Sequence, residues 1–251
     1  MNNRMISWPT AVLGVFMLAG TTAAAEIQVI ASSAFREVYL ELVPQFEQMH
    51  KHKVVASFSS SPDIMKRAKA GESADLFILA SSSVDELIKL GKVVPSSRVD
   101  LAKSGVGIAV RAGAPKPDIS SSDAVKRALL AAKSIGYSGG ASGAYITELF
   151  QRMGIADELK PKLRQAPLGV PVGELIARGE VEIGFHQMSE LLPVAGIDIL
   201  GPLPADIQQF TVFSAGVSTG AKTPDAAKEL VKFLTAPGAT PLIRKKGMEP
   251  A

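Results

Sequence analysis

The sequence predicts an α/β protein of two lobes, each a mainly parallel sheet flanked by helices, with a ligand cleft between them. Short apolar runs alternate with helical patterns from Glu26 onward, and consecutive βα units impose a parallel sheet with right-handed crossovers. The alternation continues for about 200 residues, more than one sheet comfortably uses. With 47% hydrophobic and 20% charged residues the chain has the material for such cores, and its composition is not that of a disordered protein.

The first 25 residues read as a secretory leader. Arg4 lies in a short polar start, an apolar stretch runs from Thr10 to Gly20, and Ala23 and Ala25 form the small-residue pair of a cleavage site, so cleavage is expected after Ala25. A membrane span needs roughly 20 apolar residues, and Pro9 and the Thr21-Thr22 pair bound this stretch too tightly. The mature protein is therefore expected in the periplasm.

Ile27 to Ala31 is a buried strand. Ala34 to His50 follows as an amphipathic helix, with Phe35, Val38, Tyr39, Leu42, Val43 and Phe46 at i, i+3, i+4 spacing. Lys53 to Phe58 is a strand, Pro62 to Gly71 a helix closed by its glycine, Asp75 to Ala80 a strand and Val84 to Gly91 a helix. Gly105 to Val110 is a further strand, ended by a Pro- and Gly-rich turn. Helices are expected over 122–132, 143–153, 172–178, 225–235 and 241–246, and strands over 134–138, 182–187, 197–203 and 210–217. The first lobe comprises 26–105 and 213–251 and the second 106–212, the chain entering it near Val106 and returning near Phe213.

Composition excludes several functions. The chain has no cysteine and three histidines, which removes thiol catalysis, disulfides and Cys- or His-rich metal sites. Lys+Arg total 27 against 24 Asp+Glu, with no basic run long enough for a nucleic-acid arm. Aromatics are 6%, too few for a base-stacking platform. No phosphate-binding loop, nucleophile elbow or H-E-x-x-H helix occurs. No metal or cofactor is expected, and a monomer is the default for this architecture.

What remains is a repeated strand-end signal. Ligands of open parallel sheets bind beyond the carboxyl ends of the strands, where helix N-termini point. Serines cluster there: Ser32-Ser33, Ser59-Ser60-Ser61, Ser81-Ser82-Ser83, and Ser138-Gly139-Gly140-Ala141-Ser142-Gly143. One cap needs one serine; doubled serines beside helix N-termini offer hydroxyl and amide donors for a small anion. The strand ending at His186-Gln187 differs. Gln187 offers an amide donor, and His186 with Glu190 offers proton transfer. Strand alternation predicts that only one of His186 and Gln187 reaches the ligand.

The opening Ala31-Ser32-Ser33, the Ser59-Ser60-Ser61 turn and Ala70-Gly71-Glu72-Ser73-Ala74-Asp75-Leu76-Phe77-Ile78 resemble the periplasmic molybdate-binding-protein-like solute-binding proteins of ABC transporters. The resemblance spans the mature chain. It implies the type II periplasmic binding-protein fold closing on an anion, with donors from Ser32 or Ser33 and Ser60 on one lobe, backbone donors from Ala141 or Ser142 on the other, and a membrane permease as partner; Ser61 and Gly143, from the same strand-end clusters, complete the candidate ligand-binding set with Gln187. Molybdate binders typically place Tyr where this chain has Gln187. The run Gly184-Phe185-His186-Gln187-Met188-Ser189-Glu190-Leu191-Leu192-Pro193-Val194-Ala195-Gly196 is similar to a subgroup that includes bacterial aconitate isomerase, an enzyme on the same fold, whose pattern usually has Gln where this chain has His186. The expected function is capture of a small oxyanion or organic carboxylate for an importer. The alternative is interconversion of trans- and cis-aconitate, with His186, Glu190 and Tyr145 as catalytic candidates, Glu148 near them and Arg36 as the cationic partner.

Overall fold

A computed structural model describes residues 24–251; the expected leader lies almost wholly outside the described residues. The first apolar run forms β1 (Glu26–Ser32), and a 3₁₀ turn leads into α1 (Arg36–His50). Then follow β2 (Lys53–Ser59), α2 (Ser61–Lys69), β3 (Leu76–Ala80) and α3 (Ser81–Lys89). Strand β4 (Val99–Arg111) precedes α4 (Ser122–Ala131), β5 (Ile135–Tyr137), α5 (Ala141–Arg152) and the single turn α6 (Ala156–Leu159). Next come β6 (Leu163–Gln165), α7 (Val172–Ala177), β7 (Ile183–Gln187), the short α8 (Met188–Leu191) and β8 (Ile197–Pro202). The chain closes with β9 (Phe210–Val217), α9 (Pro224–Leu234), α10 (Thr240–Lys245) and β10 (Glu249–Pro250).

The strands run in the order β2-β1-β3-β9-β4-β7-β5-β6, with β8 and β10 also paired to β4. The pairs β1–β2, β1–β3, β5–β6 and β5–β7 are parallel. The antiparallel pairs of this mainly parallel arrangement lie at its centre: β9 runs antiparallel to β3 and β4, and β4 antiparallel to β7 and β8. β4 is also longer than its apolar half suggested. Val99 to Gly105 pair with β9, and Val106 to Arg111 continue into pairing with β7 and β8. One strand thus belongs to both halves of the sheet.

Burial follows the same division. One core gathers Phe35, Phe46, Leu76 and Phe213 beneath α1 and α9. A second gathers Ile108, Leu149, Phe150 and Phe185 beneath α5, where Phe150 and Phe185 meet edge to face with centroids 6.0 Å apart, and smaller clusters form around Ile64, Phe77 and Leu79 and around Val172, Ile176 and Leu191.

Asp75, in the most specific sequence motif, is a buried staple. Its carboxylate accepts backbone N–H groups from Gln28 (2.8 Å), Lys222 and Thr223 (3.0 Å), tying β1 to the start of α9. Three donors balance the cost of burying that charge.

Candidate functional site

The strand ends converge. A cleft of about 400 Å³ is lined by Ser32, Ser33, Ser60 and Ser61 from one half and by Ser138 to Ser142 and His186 to Glu190 from the other, Met188 excepted. The N-termini of α2 and α5 open onto it, so free backbone N–H groups and the positive ends of two helix dipoles face one space.

The serines divide by their local bonds. Ser32 Oγ accepts from Ala34 N–H and Ser60 Oγ from Asp63 N–H, both at 3.4 Å. Each is a cap, yet an accepting hydroxyl keeps its own proton to donate. Ser61 reaches sideways and accepts from Ala80 N–H at 3.1 Å, bracing β3. Ser142 is bonded to Ser138 at 2.9 Å. Ser82 and Ser83 line a neighbouring hollow, not this cleft, because the α3 junction lies one strand away from the β1–β2 edge.

Gly143 is not in the cleft wall; it shapes the wall. A Cβ there would sit 1.6 Å from Ser138 O, so only glycine lets α5 start this close to the turn that carries Ser138 to Ala141.

His186 and Gln187 both line the cleft, contrary to the alternation rule. β7 ends at Gln187 and the chain turns at once into α8, which removes the pleat the rule depends on. Gln187 donates to Thr211 Oγ1 at 2.9 Å, and its Oε1 is buried without a partner among the described residues. His186 Nε2 lies 3.2 Å from Glu190 Oε2. Burial alone pushes Glu190 up to about 8 and His186 down to about 4, since each charged form is poorly solvated there. His186 Nδ1 is buried and has no hydrogen-bond partner among the described residues.

Tyr145 lies elsewhere. It is buried in the second core, donating its hydroxyl to Ile207 O and receiving Arg152 at 3.1 Å. α5 turns that face inward, away from its own N-terminus. Glu148 points outward and pairs with Arg152 at 3.0 Å.

The cleft also contains residues with no strand-end signature. Lys66 lines it beside Arg36, Glu37 and Asp63. Asp63 accepts from Ser59 Oγ at 2.7 Å, and Glu37 is 4.0 Å from Lys246. Among the described residues neither Arg36 nor Lys66 has a carboxylate within ion-pair distance. The loop Ala166 to Pro171 forms the rim, with Leu168 exposed. Lys66 sits on the exposed side of α2, and nothing in the spacing of that helix marks the cavity beyond it. Among the described residues no group of three His, Asp or Glu side chains is arranged to hold a metal.

Residues 27–249 match the family model described as bacterial extracellular solute-binding protein. An aconitate isomerase of a Pseudomonas species is 38% identical over 253 residues, covering 96% of each chain. The molybdate-binding protein ModA of Azotobacter vinelandii is 28% identical over 94% of each chain. The solved structure of the A. vinelandii periplasmic molybdate-binding protein superposes with a TM-score of 0.76 at 21% identity, over 90% of this chain and 99% of that one. The chain belongs to the bacterial extracellular solute-binding protein family and has its two-lobed type II fold.

Proposed function

We propose that this chain captures a small organic polycarboxylate in the periplasm, for delivery to an ABC importer, by closing 26–105 plus 213–251 against 106–212 across the cleft. The observation that carries the reading is the pair of cations, Arg36 and Lys66, that share the cleft with the serine and helix N-terminal donors and, among the described residues, have no carboxylate partner. Hydroxyls and amides suffice for one compact oxyanion. Free cations beside them suit a ligand with further carboxylates, and the volume is in the range of small-molecule sites. In this reading Ser33, Ser60 and the amides of Ala141 and Ser142 hold one carboxylate, and Arg36 and Lys66 the others. Export on the leader ending at Ala25 accords with the family's extracellular description.

Isothermal titration of the purified mature protein tests this. Trans-aconitate and tricarballylate should bind and molybdate and sulfate should not. Binding of molybdate alone, or of nothing, would defeat the reading.

A second reading, isomerisation of aconitate, is favoured by the His186–Glu190 contact in the cleft wall together with the 38% identical isomerase. A 1,3-proton shift needs one group that takes a proton and returns it. Transfer of the Glu190 proton to His186 Nε2 gives a carboxylate beside an imidazolium, with no net charge. The carboxylate would take the C–H proton, the electron pair would move through the allylic system, and the proton would return to the far carbon. A proton NMR time course with trans-aconitate decides: cis-aconitate above the protein-free control supports the second reading, and unchanged substrate removes it.

A further inference from the structure

We propose that anion capture is proton-coupled, the cleft accepting its ligand only when the His186–Glu190 pair carries the proton that leaves it without net charge. This rests on the carboxylate reading above. The 3.2 Å contact must contain a proton, and the pair can then be an anion or carry no net charge. If the imidazole donates from Nε2 to an ionised Glu190, the pair is an anion and Nδ1 is a bare lone pair. If a protonated Glu190 donates to Nε2, the pair is neutral and Nδ1 carries hydrogen. The two states differ by one proton, and in either one Nδ1 has no partner among the described residues.

Among the described residues no basic side chain other than His186 lies within ion-pair distance of Glu190, and Lys246, on the turn after α10, pairs with Glu37 and Glu41 instead. β4 sets Gly107 opposite His186 and Ser104 beside Ser189, neither titratable. α7 brings Gly173 to Val194, and the turn after α10 brings Gly247 to Met188. Across the cleft stand Arg36, Glu37, Asp63 and Lys66, none of which forms an ion pair with His186 or Glu190. A ligand carboxylate entering this space would meet a like charge in a desolvated wall unless the pair is protonated. Burial places loss of that proton near the value of about 8 given for Glu190. The ligand's carboxyls are fully ionised well below this, so the coupled proton belongs to the protein.

The test is calorimetric titration of the full mature chain with trans-aconitate at about pH 6.5 and about pH 9, each in two buffers of different ionisation heat. The expected result is constant affinity below about pH 7, a loss approaching tenfold per pH unit above about pH 8, and a buffer-dependent heat at the higher pH equal to roughly one proton taken up. Glu190→Gln, neutral at every pH, should bind with a flat profile and no proton uptake. Equal affinity and buffer-independent heat at both pH values in the unaltered protein would overturn the coupling even if the variant failed to fold. No binding at the lower pH would instead remove the carboxylate reading, and the coupling with it.

Discussion

Two places in this molecule bring imidazole to carboxylate, and they behave differently. On the outer side of the first half, Glu229 Oε2 sits 3.4 Å from His50 Nδ1 and 3.3 Å from His52 Nε2. Both rings pack on Phe46, His50 stacked at 4.6 Å and His52 tilted at 5.9 Å. The Glu229 side chain is 43% exposed, so water shares the work of solvating it and the cluster fastens α1 and β2 to α9. At the cleft, His186 and Glu190 make an equally close contact with side chains only 7% and 17% exposed. There burial sets the protonation state and leaves a ring nitrogen unbonded. The residue types are the same in both places. Exclusion of water beside a cavity is what turns such a pair from a fastening into chemistry.

Substitutions can break this contrast. The largest effect is expected from Glu190→Gln under the isomerase reading: turnover falls by about 10²–10⁴-fold, measured by the NMR time course, while Glu229→Gln leaves it unchanged. Gly143→Ala comes next. Its Cβ would collide with Ser138 O, the turn must shift at a cost of about 1–3 kcal/mol, and trans-aconitate affinity should drop correspondingly in titration. Ser60→Ala should weaken binding by about 0.5–1.5 kcal/mol. His52→Ala should lower folding stability by about 1–2 kcal/mol in denaturant unfolding without moving ligand affinity. An affinity loss equal to that of Ser60→Ala would erase the distinction between the two clusters.

The contrast also has a pH signature in stability. Glu190 is raised in the folded state, so its contribution is full below the unfolded carboxylate value and is lost as pH rises through about 8. His186 is lowered, so its contribution is present above the unfolded imidazole value and is lost as pH falls through about 4. Glu190→Gln should therefore gain stability relative to the unaltered protein between about pH 5 and about pH 8, read from unfolding midpoints across that range.

Much of the fold was legible because its strands are buried runs bounded by turn residues, as in β1 and β3, whose helices follow immediately. The first half of β4 was not, since Val99-Asp100-Leu101-Ala102-Lys103-Ser104 mixes charge with apolar residues where one edge of the sheet meets β10. The three-residue β6 and the four-residue α8 are too short for any periodicity to register. At the site, serines at strand ends were readable because the parallel-sheet rule says where such ends gather. Lys66 and the Ala166–Pro171 rim were not, since their position depends on how the halves face each other. Tyr145 shows the reverse. Its place near the start of α5 suggested the cleft, but the helix face it occupies is the one packed against β7 and the 207 turn.

The most direct measurement is a crystal structure of the mature protein with tricarballylate, which has the carboxylates of aconitate but no double bond to move. The account predicts one carboxylate on Ser33, Ser60 and the α5 N-terminus, the others at Arg36 and Lys66, and the ligand against His186 and Glu190. A ligand bound outside the cleft, or a cleft that takes molybdate on the same serines and leaves Arg36 and Lys66 untouched, would contradict it.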